Sequence, residues 1–474
     1  MQFPINEKEV EIFNLIKKAG KKLNVPTYIV GGYVRDRLLG RNIDQVDIDI
    51  VCVGSGIQLA NQLASMLSPK PKISIFERFG TAMFCYKGID YEFVGARKES
   101  YSKDSRKPIV EDGSLDDDQK RRDFTINALA ISLNDGNYLE IIDSFDGLAD
   151  LENKIIRTPL NPDITFSDDP LRMMRAIRFA CQLDYIITDD CMKAIARNAE
   201  RIKIISKERI ITEIEKFMTV PKPSQGWILL FKTNLLQYVF PELQAMAGVE
   251  AINNVYHKDN FYHTMKVLDN MAEKSNNLWL RWAALLHDIG KPQTKRFETN
   301  KWTFHGHDDL GAKMVPRIFN TLKLPTDARM RYVQKLVALH QRPIALTKET
   351  ITDSAVRRII FEASEDLEDL MLLCRCDITT RDLSKLERYL QNYDFLCQRI
   401  DEIESKDKIR NWQPPIDGQF IMDNFGLKPG PNVGILKNKI RDAILDGDIS
   451  NNFDEAYQML IGLAAELGLK PIQK

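Results

Sequence analysis

No apolar run approaches the roughly 18–20 residues that a membrane-crossing helix requires, so the sequence contains no candidate span. The opening residues Met1 to Lys8 lack the apolar centre of a secretory leader, and a cytoplasmic chain is expected. Net charge is nearly absent, with 66 Lys and Arg against 67 Asp and Glu. A chain with no basic excess has no global field for nucleic acid, so any phosphate-binding surface must be local. Cysteine is scarce, at seven residues, and scattered. The one close pair, Cys374 and Cys376, has a single intervening residue, the wrong spacing for a zinc knuckle. An odd, dispersed set argues against a disulfide framework and fits reduced thiols. Internal repeats, low-complexity tracts and an aromatic RNA-recognition motif are missing as well.

What is present is an ordinary globular composition, 44% apolar and 28% charged, spread over 474 residues. That length exceeds a single core and implies several domains. Near the start, Tyr28 to Val30 runs into Gly31-Gly32-Tyr33-Val34-Arg35-Asp36, a glycine turn entering a helix. Backbone N–H groups in such a turn approach phosphate closely. Downstream, Asp47-Ile48-Asp49 places two carboxylates on one face of a strand, with Asp44 close by. Buried side by side, such carboxylates need a counter-ion, and Mg²⁺ is the usual occupant beside phosphates. A glycine pair alone, or Asp-x-Asp alone, is more often structural. Their order and the alternation of acid with Val and Ile point to a site for a nucleoside triphosphate and one or two metal ions.

Further segments add to that site. Lys98 to Lys120 has few apolar residues and is expected to form a flexible loop over it. Arg121-Arg122-Asp123-Phe124-Thr125-Ile126-Asn127-Ala128 is expected to begin a helix. There the arginines suit phosphate, while Asp123 and Asn127 share a face suited to ribose hydroxyls; a charged capping segment is an equal alternative. In Asp168-Asp169-Pro170-Leu171-Arg172, Pro170 suits the first helical position and Asp169 the N-cap. Arg172, Arg175 and Arg178 then form a basic stripe, with Asp169 and Arg172 placed to read a base edge and the later arginines to reach phosphate. Lys193, Arg197, Arg201, Lys203 and Lys207 crowd one stretch with only Glu200 against them, either an RNA-binding patch or a solvated face.

Together these segments resemble the class II tRNA nucleotidyltransferase and bacterial poly(A) polymerase family, a branch of the polymerase-β-like nucleotidyltransferases. Gly31 to Asp36 with Asp47 and Asp49 resembles its catalytic motif, and Arg121 to Ala128 its ribose-discriminating motif. Asp168 to Arg172 resembles its base-selecting motif, with Asp168 where Glu is usual; Ser206 to Ile210 with Glu213 resembles the motif that closes the neck. The resemblance implies an α+β fold: a polymerase-β-like head of mixed sheet and helices, an all-α neck, and further helical domains. It implies addition of CCA to tRNA from CTP and ATP, with two Mg²⁺ on Asp47 and Asp49 and Glu92 as a candidate third carboxylate. By the same resemblance, Asp169 and Arg172 act as a protein template, and the Lys98–Lys120 loop helps to change the choice from C to A. A-only addition and poly(A) synthesis remain open. The lack of an RNA-recognition motif suits an enzyme that reads the 3′ end and the elbow of tRNA by shape.

All six histidines, His257, His263, His287, His305, His307 and His340, fall in one region. His287-Asp288, with His263 upstream and Asp377 downstream, resembles an HD domain, a helical metal-dependent phosphohydrolase fold. Histidine with carboxylate suits a divalent transition metal, and His305, His307 or His340 are candidates for a second position. By resemblance the domain carries phosphatase or cyclic phosphodiesterase activity; an HD phosphohydrolase whose head merely binds nucleotide is the rival reading of the whole chain. The expected divisions are a head over 1–150, a neck over 151–238, an HD domain over 239–388 and an RNA-binding helical tail over 389–474.

Overall fold

The computed structural model describes residues 3–472 except 42–46, 103–104, 254, 347–351, 381 and 408–411. Asp44 therefore lies outside the described residues. The chain divides into two compact units, Met1–Gln244 and Ala245–Lys474. All seven cysteines are free, and no described helix is long and apolar enough to cross a membrane.

The first unit opens with α1 (Glu7–Leu23), whose start is fixed by a capping box between Asn6 and Glu9. A seven-stranded mixed sheet follows. Its strands are β1 (Thr27–Val30), β2 (Asp47–Cys52), β3 (Ser74–Phe76), β4 (Thr81–Tyr86) and β5 (Ile89–Gly95), then β8 (Ala130–Ser132) and β9 (Ile141–Ile142), in the order β3-β4-β5-β2-β1-β8-β9. Only β2 and β5 run parallel within it; their neighbours pair antiparallel. Helices α2 (Gly32–Leu38) and α3 (Gly56–Ala64) follow β1 and β2. Period two decides which way β2 faces: Ile48 and Ile50 are fully buried, while Asp47 and Asp49 point to the opposite face.

The expected loop is not one. Arg97–Ser102 and Ser105–Asp112 pair as a two-stranded hairpin, β6 and β7, followed by α4 (Leu115–Lys120). A strand pair without an apolar stripe on either strand gives no period-two signal, so polarity alone suggested a loop. Residues 121–128 also depart from expectation. They turn and form one 3₁₀ turn, Thr125–Asn127, rather than the start of a helix.

Helices then dominate: α5 (Gly147–Glu152), α6 (Pro162–Asp168), α7 (Leu171–Leu183), α8 (Asp189–Asn198) and α9 (Lys207–Met218). The helix α7 begins after Pro170, and Asp169 Oδ1 accepts from the Leu171 N–H at 3.1 Å. Arg178 of α7 and Glu213 of α9 form a buried, hydrogen-bonded ion pair that joins the two helices.

Among the described residues, the second unit is helical apart from two small hairpins. Its last three helices, Gly418–Phe425, Pro431–Asp446 and Phe453–Glu466, share a separate core around Ile421, Leu436, Ile440 and Leu460.

Removing one partner of a buried ion pair leaves an uncompensated charge, at a cost of about 3–5 kcal/mol. Glu213→Gln is therefore expected to lower the chemical-denaturation free energy of the full chain by about that amount. A loss below about 1 kcal/mol would show that α7 and α9 do not depend on the pair.

Candidate functional site

The strand register assembles the first site. Parallel pairing sets Asp47 beside Asp90 and Asp49 beside Glu92, so four carboxylates share one face of β2 and β5. They line a cleft of about 400 Å³ together with Gly32, Tyr33, Asp36 and Met83. Asp90 was not singled out in the sequence, although it stands two residues before Glu92, as Asp47 does before Asp49. Val30 pairs with Asp49, which carries the chain directly from β1 into the glycine turn over that carboxylate. Gly31 has φ +81°, and a Cβ on it would sit 2.8 Å from Asp49 Oδ2. Both the backbone and the space thus demand glycine.

Electrostatics match the crowding. Burial, helped by Glu92 and Asp47 and opposed by Arg122, pushes the Asp49 carboxyl up to about 6. A divalent cation relieves that repulsion, and an all-oxygen set suits a hard one.

Arginines and acids behind the cleft are paired. Arg35 Nη1 donates to Asn127 Oδ1 at 2.7 Å, while its Nε and Nη2 hold Asp36. Asn127 Nδ2 donates to Asp123 Oδ1 at 3.0 Å, and Arg175 Nε to Asp123 Oδ2 at 2.7 Å. Burial alone would raise the Asp123 carboxyl, but the Arg175 charge and the Asn127 amide hold it at about 2. Asp123 and Asn127 are thus locked to one another and to α2 and α7, not displayed on a helical face. Arg35, Arg175 and Arg178 gather around the Phe179 ring, at 4.8, 5.4 and 3.8 Å from its centroid. The stripe read as arginine alone is arginine against acid, because Asp123 and Glu213 come from elsewhere in the chain. Arg172 Nη2 donates to the Arg121 carbonyl at 2.5 Å, and Arg121 and Arg122 both bond the buried Asp118. Asp168 is the last residue of α6, and Asp169 leads into α7.

The five basic residues have more company than Glu200. Arg197 pairs with Asp163, Arg201 donates to the Ser167 carbonyl, Lys203 pairs with Glu200, and Lys207 donates to the Tyr238 carbonyl. Lys193 stands on α8 with Arg197.

The second unit builds a different site from helix ends. His263 lies in the first turn of helix Asn260–Lys274, and His287-Asp288 follows helix Leu278–Leu286. His307 starts helix His307–Leu322, His340 follows helix Ala328–Leu339, and Asp377 ends helix Leu367–Asp377. Gly290 lets these segments meet, since a Cβ there would be 2.3 Å from the His307 carbonyl oxygen. Asp288 stands between two sets. Its Oδ2 is 3.5 Å from His263 Nε2 and 3.3 Å from His287 Nε2; its Oδ1 is 3.3 Å from His307 Nε2 and 3.7 Å from His340 Nε2. Asp377 Oδ1 lies 2.8 Å from His263 Nε2.

His287, His307 and His340 each engage a carbonyl three residues back through Nδ1, at 2.7 Å. Donation there fixes the ring and turns Nε2 inward. The Nε2 atoms of these three, with Asp288 Oδ1, are buried without a hydrogen-bond partner. Orphaned buried nitrogens converging on a carboxylate suit a metal ion. The groups that suit a metal are His263–His287–Asp288 and Asp288–His307–His340. His305 is exposed and belongs to neither; it lies in the turn before the helix that His307 opens. His257 instead engages the Lys258 carbonyl and packs on Trp302. A cavity of about 1190 Å³ beside the metal groups is lined by Lys258, Lys266, Lys291, Tyr262, Phe304 and Tyr389, among others.

Known proteins match along the chain. Residues 27–157 match the family described as Poly A polymerase head domain, 184–246 that described as probable RNA and SrmB-binding site of polymerase A, and 260–388 the HD domain. The A-adding tRNA nucleotidyltransferase of Deinococcus radiodurans is 30% identical over 71% of this chain and 76% of its own length. The CCA-adding enzyme of Lactobacillus johnsonii is 31% identical over 93% of this chain and 95% of its own. A solved tRNA nucleotidyltransferase, in complex with a primer tRNA and an incoming ATP analogue, is 26% identical with a TM-score of 0.54, covering 81% of this chain and 99% of that one.

Two outcomes follow. A carboxylate raised on folding stabilises the fold below its unfolded pKa, about 3.9, and loses that contribution as pH rises through about 6. In chelator, Asp49→Asn should therefore raise the melting temperature at pH 8 and leave it nearly unchanged at pH 4, as calorimetry would show. At the second site, Mn²⁺ or Co²⁺ added to chelator-stripped protein should raise the melting temperature of wild type by more than that of His287→Ala, whose carboxylate cleft still takes the ion. Equal shifts in both proteins would exclude a metal at His287.

Proposed function

The chain belongs to the tRNA nucleotidyltransferase family that carries a poly(A) polymerase head domain, and we propose that it adds C, C and A in turn to tRNA 3′ ends. CTP and ATP are the donors, pyrophosphate leaves, and no nucleic-acid template is read. The observation that carries this reading is the β2–β5 register, which sets Asp47 and Asp49 beside Asp90 and Glu92 beneath the glycine turn.

Asp47 and Asp49, with Glu92 as a third ligand, would hold two Mg²⁺ ions, which in such sites align the attacking hydroxyl and neutralise charge on the leaving phosphates. The remaining work falls to the chain. The turn at Gly31 and Gly32 lets backbone approach the triphosphate, and Arg122 brings positive charge to the same edge. Asp169 and Arg172 present an acceptor and donors at the start of α7, where a base edge of matching pattern satisfies both. A base without that pattern leaves them unpaired, which is how such a site discriminates. Asp123 and Asn127 act by locking α7 to the turn through Arg175 and Arg35. Lys193, Arg197, Arg201, Lys203 and Lys207 supply local positive charge for the tRNA backbone despite the neutral whole chain. The head ends near 150, the neck near 238 and the HD domain near 388, and the helical tail completes an RNA-binding chain that works in the cytoplasm.

The paired metal groups favour a second activity, metal-dependent phosphoester hydrolysis by the HD domain. Its nitrogen-rich ligand set, His263, His287, Asp288 and Asp377 with His307 and His340 beyond, suits a transition metal rather than Mg²⁺.

The product is tested with tRNA transcripts ending at the discriminator base, at C and at CC, given CTP and ATP separately and together. Complete CCA on the shortest transcript, with addition then stopping, is expected. One A on the CC-ended transcript alone would assign the activity of the Deinococcus relative instead, and a long A tail would mark a poly(A) polymerase.

A further inference from the structure

Asp118 has no exposed surface, yet its carboxylate holds two guanidinium groups. Its Oδ1 accepts from Arg121 Nε at 3.0 Å, and its Oδ2 from Arg122 Nε at 3.1 Å; an Nη2 of each arginine closes a second contact. Each arginine leads to a different part of the transfer site. Arg122 Nη1 lies 3.4 Å from where a Gly31 side chain would begin, on the edge that also holds Asp49, and it donates to the Asn127 carbonyl. The Arg121 carbonyl accepts from Arg172, the arginine at the start of α7. One buried acid thus stands behind both the arginine at the catalytic carboxylates and the backbone group that tethers Arg172.

The acid itself has little freedom. Helix α4 is opened by a capping box between Ser114 and Asp117, and the Asp118 N–H donates to the Ser114 carbonyl at 3.1 Å. Gly113, just ahead, is pressed so closely on the Arg97–Lys98 backbone that a Cβ would meet it at 2.8 Å. Without the Asp118 charge, two adjacent guanidinium groups would repel one another and turn outward from their present directions.

We propose that Asp118 is a positioning residue for nucleotide transfer, aiming Arg122 at the triphosphate and, through Arg121, Arg172 at the base. It touches no reacting atom. This inference rests on the nucleotidyltransferase reading above and adds to it the group that couples phosphate placement to base choice.

The test uses full-length wild type, Asp118→Asn, Asp118→Glu and Arg122→Lys, with Asp118→Asn also combined with Arg122→Lys. Addition of CTP and ATP to the discriminator-ended and CC-ended transcripts is followed beside thermal unfolding. Asp118→Asn is expected to lower kcat/KM for the correct nucleotide about 10- to 100-fold, as loss of an orienting partner typically does. Most of that loss should appear in KM, and the preference for CTP over ATP at the first addition should narrow. The double variant should lose clearly less than the product of the two single losses, since Arg122→Lys already disables one of the two arms that Asp118 holds. Asp118→Glu keeps the charge and guards against a misfolded Asn variant; by displacing both guanidinium groups it should also narrow the CTP preference. A folded variant of either kind with an unchanged nucleotide ratio overturns the proposal, as do losses that simply multiply in the double variant. If wild type itself adds no nucleotide, the transfer reading fails, and this inference falls with it.

Discussion

Repulsion between carboxylates on one face of a sheet governs the first unit. Parallel pairing of β2 and β5 brings Asp47, Asp49, Asp90 and Glu92 together, and nothing about a strand pair favours that by itself. The opposite faces of the same strands hold the arrangement in place. Ile48, Ile50, Tyr91 and Phe93 are buried, so a slip of one residue would expose apolar side chains and bury the acids. The glycine at position 31 follows from the same crowding, because Asp49 leaves no room for a side chain.

Around that cleft, buried charges are balanced by pairing, local at Asp118 and long-range at Asp123 and Glu213. Asp118 takes Arg121 and Arg122, Asp123 takes Arg175, and Glu213 takes Arg178. These pairs tie α4, α7 and α9 to the segment after the hairpin and make the position of α7 depend on several buried hydrogen bonds. The second unit meets a similar problem with different chemistry. There imidazole nitrogens outnumber carboxylates, and backbone carbonyls orient three of the four rings. An all-oxygen set and a nitrogen-rich set suit different kinds of metal ion.

Much of this was legible in the sequence where local pattern suffices. The glycine turn, the Asp47–Asp49 alternation and the His287-Asp288 pair are short-range signals, as is the resemblance they carry. The hairpin at 97–112 was not legible, because its strands lack the apolar alternation that marks a half-buried strand. Asp90 acquires meaning only through its register with Asp47; Asp118 stands three and four residues before Arg121 and Arg122, but only helix α4, within the expected loop, turns it inward to pair with both. The acids that face the α7 arginines come from positions tens of residues away, so the stripe looked unopposed. Spacing likewise could not separate His305 from His307; the helix that begins at His307 does.

We propose that one chain holds two separable metal chemistries, transfer on the Asp47–Asp49 strand and hydrolysis at Asp288. The most direct measurement compares full-length wild type, Asp47→Ala and Asp288→Ala in two assays, nucleotide addition to a tRNA transcript and hydrolysis of a terminal phosphoester with Mn²⁺ or Co²⁺ present. The expected result is a crossed pattern: Asp47→Ala loses addition and keeps hydrolysis, and Asp288→Ala does the reverse. Addition surviving in Asp47→Ala, or both activities lost together in either folded variant, would contradict it.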